Sequence, residues 1–222
     1  MFNFLALITK NIFWKYYSKI VKIVLLCYNI KVGEDFYIEG TPKLKIRGKS
    51  SNISIGNNVS IFGKIDLRNR NNGKIIIDDH VSIDNDCRLV AANDATLSIG
   101  KRTGIGPFTV INGGDDITIG DNCIISGMVY IQASDHGIQS NKLILRQQYL
   151  HSPITIGNDV WIGANATVTR GVRLGDGCVV GAKTLVRAGV YLKNSIIVGV
   201  PGKIVRKRDK NELEKGDHKF SG

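Results

Sequence analysis

The amino-acid sequence predicts an all-β fold in which short strands wind into a three-walled coil. In the C-terminal half, small or aliphatic residues stand six positions apart in two registers, and glycine often follows the second register. Neither a helix nor a hairpin sheet sustains a period of six. A flat strand followed by a corner does sustain it, because alternate side chains of a strand face the same side. The first register contains Ile154, Val160, Ala166, Val172, Cys178, Thr184, Val190 and Ile196, and the second contains Ile156, Ile162, Val168, Leu174, Val180, Val186, Leu192 and Val198.

Three such strands close one regular coil, which is the step from Ile156 to Leu174 and from Leu174 to Leu192. The N-terminal half repeats the pattern with longer coils. Ile55, Ile77, Ile99 and Ile119 take equivalent places, and each step between them exceeds the regular one by two to four positions. Polar segments at 68–74, 92–96 and 112–116 are the expected bulges. We therefore expect a solenoid domain over residues 31–205, with a first coil that begins near Val32.

Residues 1–30 are apolar and aromatic but carry four spaced lysines, which predicts an amphipathic helix. A membrane span needs about 20 apolar residues, and no charge-free stretch here has that length. The helix is expected to cap the open end of the coil. Contact of residues 1–28 with a membrane surface stays open as a second interpretation. We expect a cytoplasmic protein, with the inner face of the membrane as the site of any such contact, and a short basic C-terminal tail or helix over residues 206–222.

The net charge of +11 favours anionic partners such as nucleic acid, anionic lipid or phosphorylated small molecules. No motif with interleaved basic and aromatic residues is present, so nucleic acid is not an expected partner. The four cysteines lack CxxC spacing, which indicates neither a zinc site nor a redox motif. We expect no bound metal.

The period is interrupted at residues 133–152, where the chain must leave the coil as a long loop. The step from Ile119 to Ile156 is more than twice the length of one regular coil. Long loops on compact folds are often functional. His136 stands where the chain departs and His151 where it returns. Histidine titrates near neutral pH, so either side chain suits general-base catalysis.

The segment SPITIGNDVWIG, together with the closing VGVPGKIVRK, resembles the C-terminal half of hexapeptide-repeat acyltransferases. The similarity is greatest to the maltose and galactoside O-acetyltransferase branch and to sugar O-acetyltransferases of surface-polysaccharide gene clusters. The resemblance implies a left-handed parallel β-helix, an exception to the usual right-handed crossover. It also implies a homotrimer with active sites between subunits. The implied activity is transfer of an acetyl group from acetyl-CoA to a sugar hydroxyl.

The resemblance assigns roles to particular residues of this chain. His136 is the implied general base, with no covalent intermediate on the protein. A backbone N–H at Gly163 or Ala164 is the implied donor to the carbonyl oxygen that gains charge. Where the family often has Thr-Lys, this chain has Arg187 and Ala188, so that contact is not carried over. Coenzyme A contacts map onto Ala164, Ala182, Lys203 and Arg206, and candidate acceptor contacts are Asn112, Asp135, Tyr149 and Trp161.

Three alternatives stay open at this point. One is N-acetylation of an amino sugar on a nucleotide carrier, for which the same histidine would serve. A second is a metal hydratase on the same coil, which needs three histidines that converge on zinc. The spacing of His80, His136 and His151 does not place three ligands on facing coils. The third is a non-catalytic scaffold.

Overall fold

The computed structural model describes residues 5, 7, 9 and 12–209, and within them it shows three sheets that form the walls of a prism and are parallel except for the last strand of wall B. Wall A consists of Lys31–Val32, Ile53–Ile55, Lys74–Ile77, Thr96–Ile99, Ile117–Ile119, Ile154–Ile156, Val172–Leu174 and Gly189–Tyr191. Wall B consists of Tyr37–Ile38, Ser60–Phe62, Ser82–Asp84, Gly104–Ile105, Ile124–Ile125, Trp161–Ile162, Val179–Val180 and Ser195–Val198, followed by Lys203–Lys207. Wall C consists of Lys43–Gly48, Ile65–Asn71, Cys87–Ala91, Val110–Gly113, Tyr130–Gln132, Thr167–Thr169 and Leu185–Val186.

The predicted stacking of the coils is confirmed by the register of wall A. The predicted positions pair in succession along the prism, and the interior between the walls is filled by fully buried aliphatic side chains. Stacked partners at this position are Val32, Ile55, Ile77, Ile99, Ile119, Ile156 and Leu174. The fold is the predicted left-handed β-helix.

The last coil departs from the predicted registers. Leu174 pairs with Tyr191 and not with Leu192, so this coil is one residue shorter than the regular one. A slip of one residue turns alternate side chains to the opposite face. Ser195 and Ile197 are therefore buried, whereas the predicted inward positions Val190, Leu192, Ile196 and Val198 are not.

The polar composition predicted that the additional residues of the N-terminal coils bulge outward. Not all of them do so. Residues 68–71 continue the strand Ile65–Asn71, which pairs along its length with Lys43–Gly48. Wall C is therefore wider at its N-terminal end than at its C-terminal end. Asn69, one of these residues, is fully buried, and its amide donates to the Lys49 carbonyl at 2.7 Å.

A helix, Ile12–Cys27, packs against the first strands of the coil. Its inner face buries Trp14, Ser18, Val21 and Leu25. The Ser18 hydroxyl accepts a hydrogen bond from the Ile38 N–H at 2.8 Å, which ties the helix to wall B. Within the described residues, no helix has the length and apolar character that crossing a bilayer requires.

At the other end, Lys203–Lys207 forms an antiparallel strand beside Ser195–Val198. Arg206 lies within this strand, so the expected tail begins later than predicted. Residues 210–222 of that tail lie outside the described residues, as do eight positions of the predicted N-terminal helix, namely 1–4, 6, 8, 10 and 11.

Candidate active site

The interruption of the coil folds as a β-hairpin at the corner between walls C and A. Ser134–His136 pairs antiparallel with Tyr149–His151, and a 3-10 turn at Ile144–Arg146 lies between them. Opposite residues of a hairpin share a face, as do residues two apart. The register Ser134↔His151 and His136↔Tyr149 therefore places both histidines on one face of the hairpin.

Three rings follow one another along this face. The centroids of His136 and Tyr149 are 4.2 Å apart, and those of Tyr149 and His151 are 6.1 Å apart. His136 is exposed on the hairpin. Tyr149 thus connects the two candidate bases, and the predicted acceptor contact Tyr149 lies beside the predicted base.

Asp135 points away from the histidines, as expected for neighbouring residues of an extended chain. Its carboxylate accepts a hydrogen bond from Arg170 Nε at 2.8 Å. Arg170 follows the strand Thr167–Thr169, so this ion pair fastens the hairpin to the next coil. The observed position supports an anchoring role for Asp135, and the predicted acceptor contact is not brought to the histidine face.

A cavity of 420 Å³ opens between the hairpin and the outer face of wall C. His151, Tyr149 and Ser134 line it from the hairpin, and Asn112 and Tyr130 line it from the wall. His136 lies at the edge of this arrangement, beyond Tyr149. Both histidines are exposed, but His151 lines the cavity and His136 does not.

Polar groups in the cavity form a connected network. The Asn112 amide donates to Gln132 Oε1 at 3.2 Å, and the Tyr130 hydroxyl donates to the same oxygen. The Gln132 amide in turn donates to the Ser134 carbonyl at 2.6 Å. The predicted acceptor residue Asn112 is thus positioned by wall C and linked to the start of the hairpin.

Gly114 allows the hairpin to approach the wall this closely. A Cβ atom on Gly114 would lie 3.0 Å from His151 Nδ1 and 3.0 Å from Ser134 Oγ. Both distances are shorter than ordinary van der Waals contacts, so a side chain there would displace the histidine.

The corner between walls B and C carries the predicted coenzyme contacts. The Gly163 N–H donates to the Val180 carbonyl at 2.8 Å, so the coil already uses this donor. The Ala164 N–H donates to no residue in the described part of the chain. The Ala164 carbonyl accepts from the Lys183 N–H at 2.9 Å, which stacks Ala164 directly against the next corner, at Ala182.

The same corner continues to the C-terminal strand. The Gly202 N–H donates to the Leu185 carbonyl at 2.8 Å, and Lys203 begins the next strand. Lys203 and Arg206 are both exposed. Lys203 pairs with Val198 at this edge of the prism, whereas Arg206 pairs with Ile196, farther across wall B toward wall A.

Trp161 lies on the outer face of wall B, away from the hairpin. Its indole N–H donates to Ser126 Oγ at 3.1 Å, and half of the residue is exposed. Within one chain it does not line the cavity with Asn112 and Tyr149.

Sequence reasoning missed the arginines of the cavity. Arg68, Arg70 and Arg88 line its far side, and the carboxylate of Asp66 lies among them. The hydrogen bond from Arg68 is the largest cause that lowers the pKa of Asp66, which keeps this carboxyl ionised. The alternation Asp66, Arg68, Arg70, and the step of one coil from Asp66 to Arg88, were signals that these side chains share one face.

Within the described residues, no cysteine lines the cavity, and Cys27 is exposed at the end of the helix Ile12–Cys27. Cys87, Cys123 and Cys178 lie inside the prism, and burial raises the pKa of Cys87 to about 11. Within the described residues, no group of three metal-ligating side chains converges. The side chains that line the cavity carry imidazole, phenol, amide and guanidinium groups.

Comparisons with known proteins agree with the fold. A protein-family model described as bacterial transferase hexapeptide (six repeats) matches residues 153–188. A probable acetyltransferase of Mycobacterium tuberculosis is 34% identical over 124 residues, 55% of this chain and 41% of that protein. Galactoside O-acetyltransferase of Escherichia coli is 36% identical over 98 residues, 43% of this chain and 47% of that protein. The chain thus spans less than half the length of these two relatives.

A crystallographic structure of the polysialic acid O-acetyltransferase OatWY is similar over a greater length. The similarity covers 85% of this chain and 96% of the OatWY chain, with a TM-score of 0.55 and 25% sequence identity. The matched repeat, the three-walled coil and these similarities agree with the resemblance read from the sequence. The chain is thus similar to hexapeptide-repeat transferases, and its fold is a left-handed β-helix.

Proposed function

We propose that the protein is an acetyl-CoA-dependent O-acetyltransferase that acts on a sugar hydroxyl, in the biosynthesis of a surface polysaccharide. The observation that carries this proposal is the hairpin, which presents His136 beside Tyr149 next to a polar cavity. The names of the relatives support acetyl transfer to sugars.

The residues at the corner between walls B and C fit an elongated thioester. Ala164 and Ala182 leave the backbone accessible, and the Ala164 N–H, which donates to no described residue, suits a carbonyl oxygen that gains negative charge. Lys203 offers positive charge to phosphates farther along the same edge, and Arg206 offers it across wall B. When bound there, acetyl-CoA would supply the activated acetyl group.

The acid–base steps fall to the hairpin. In the proposed reaction His136 removes the proton from the sugar hydroxyl as its oxygen attacks the acetyl carbon. The same imidazolium then returns a proton to the departing sulfur. Asn112 and Tyr149 are proposed to hold the sugar, since their polar atoms line the adjoining cavity.

The active site is proposed to form between subunits of a homotrimer. Ala164 precedes Arg170 by six residues, and Arg170 contacts the hairpin. At about 3.3 Å per residue, wall C separates the two halves of the site by up to roughly 20 Å. A neighbouring chain is needed to bring a donor edge to a hairpin.

Exposed apolar groups beside the donor edge support this assembly. Phe108 and Met128 are half exposed at the same corner, with φ of 58° and 61°. Bulky residues rarely adopt this left-handed conformation. Trp161 and Ile124 lie next to each other on the adjoining wall and are also exposed. Burial of these four side chains against a sister chain would account for their exposure here.

The experiment that tests the function is mass spectrometry of candidate sugars and glycans after incubation with the protein and acetyl-CoA. A product heavier by one acetyl group, with the label on a hydroxyl, supports the proposal. A label on an amino group would replace O-acetylation by N-acetylation. Absence of thiol release and of product with every acceptor would leave a non-catalytic scaffold.

The N-terminal helix is proposed to contact the membrane surface peripherally. Its outward face exposes Ile12, Tyr16, Ile20 and Ile23 beside spaced lysines. The test compares wild-type protein with an Ile20→Ser/Ile23→Ser variant, which keeps the inner face of the helix intact. Wild-type protein should sediment with anionic liposomes and the variant should stay in the supernatant. Equal sedimentation of the two proteins would leave the helix with its capping role alone.

A further inference from the structure

Wall C carries a basic surface at its N-terminal end, which we call the basic face. Alternate residues of its strands point outward, and the parallel register stacks Lys45 on Arg68 and Arg47 on Arg70. Successive strands lie about 4.8 Å apart, so the positive charges are crowded. The basic face consists of Lys43, Lys45, Arg47, Arg68, Arg70 and Arg88.

One carboxylate organises part of this face without neutralising it. Asp66 accepts hydrogen bonds from Arg68 Nε at 2.8 Å and from Arg88 Nε at 3.3 Å. Two guanidinium groups are thereby held by a single negative charge, and Arg70 adds a third positive group at the cavity. The positive charges of this face still repel one another. The charge of Arg68 lowers the pKa of Lys45 most, and the charge of Lys43 lowers it further.

The basic face continues directly into the candidate site. Arg68, Arg70 and Arg88 line the cavity whose opposite side is formed by Tyr149 and His151. Arginine pairs with carboxylates through two parallel hydrogen bonds. Because the cavity is concave and the hairpin forms one of its sides, an extended chain of sugars fits it better than the flat surface of a bilayer does.

We propose that the basic face binds an anionic glycan, so that the acceptor is a chain of carboxylate-bearing sugars. One sugar of the chain occupies the cavity, and its neighbours extend over wall C toward Lys45 and Arg47. This inference rests on the proposed acetyl transfer and names its acceptor class.

The test measures binding in the absence of acetyl-CoA, by calorimetry with tetragalacturonate and its fully methyl-esterified form. The Arg70→Gln/Arg88→Gln variant removes two charges and leaves Asp66 paired with Arg68. An Arg173→Gln variant is the control for loss of a positive charge elsewhere on the prism, because Arg173 is exposed on wall A. Circular dichroism verifies that both variants are folded.

Wild-type protein should bind tetragalacturonate, more weakly as salt rises, and should not bind the ester. The double variant should lose affinity by about tenfold or more, the cost of two charge-assisted hydrogen bonds, while the Arg173 control keeps it. Equal binding of the ester, an equal loss in the control, or no binding of tetragalacturonate would each overturn the inference. Preferential binding to anionic liposomes through Arg70 and Arg88 would also overturn it.

The same variants separate this inference from the proposed function. If tetragalacturonate binds at the basic face but no acceptor is acetylated, the proposed function would be contradicted. The anion-binding site would still stand. Acetyl transfer with the same KM for anionic and neutral glycans in wild type and double variant would contradict the acceptor class and leave the function.

Discussion

The two edges of wall C are built in opposite ways. At the corner with wall B, the repeat continues without interruption and stacks small residues, Ala164 on Ala182, with accessible backbone. At the corner with wall A, the repeat stops and a hairpin brings His136, Tyr149 and His151 together. Regular coils thus provide a flat, extended edge that suits a long donor. The interruption provides the side chains that suit acid–base chemistry and an acceptor.

The largest effect is expected at the interrupted edge. His136→Gln should lower kcat by about 10² to 10⁴, the usual contribution of a general base, with the melting temperature unchanged because the ring is exposed. Rates of thiol release and of product formation would measure it. His80→Asn is the control, since His80 is an exposed corner residue with φ of 59°, which asparagine tolerates.

His151 sharpens the same comparison, because it lines the cavity and lies on the same hairpin face. His151→Gln should raise the KM for the acceptor more than it lowers kcat. If instead His151→Gln abolishes turnover and His136→Gln retains it, the base is the histidine where the chain returns to the coil.

A smaller effect is expected at the regular edge. Ala182→Phe adds a ring at an exposed position where the coenzyme is proposed to lie. The KM for acetyl-CoA should rise about tenfold or more, equivalent to ~1.4 kcal/mol of binding free energy, with the acceptor KM unchanged. Lys193→Phe places the same ring on a different corner and should leave both constants as they are. If only the KM for the acceptor changed, the proposal that acetyl-CoA lies at this edge would be contradicted.

The repeat allowed much of the regular part to be predicted, because inward positions are constrained by burial. The observed strand pairing has the same steps as the sequence predicted, from Ile55 through Ile77, Ile99 and Ile119 to Ile156. The shorter step into the last coil was not predicted, since aliphatic residues occupy both possible faces there and the pattern alone cannot distinguish them.

The outward-facing part of the site was less predictable. The position of His136 followed from the break in the period, but the register that joins it to Tyr149 depends on pairing within a hairpin that has no two-residue turn signal. Arg68 and Arg70 were not predicted to line the cavity, because polar residues 68–74 suggested a bulge. Pairing with Lys43–Gly48 instead extends the strand, and that pairing is a tertiary effect.

The smallest of these effects concerns the rigidity of the regular edge. Thr109 is fully buried at the corner between walls B and C, where its hydroxyl donates to the Ser126 carbonyl at 3.1 Å and accepts from the Val129 N–H at 3.3 Å. Thr109→Val keeps the shape and leaves both backbone groups without this partner. The free energy of unfolding should fall by about 1–3 kcal/mol, measured by urea denaturation.

Thr118→Val is the matched control, because Thr118 is exposed on wall A and should change stability by less than about 0.5 kcal/mol. A loss at Thr109 accompanied by a higher KM for acetyl-CoA would mean that the donor edge depends on a corner fixed by this hydroxyl. Equal stability of the two variants would contradict that role, and the stacked backbone alone would then hold the edge in place.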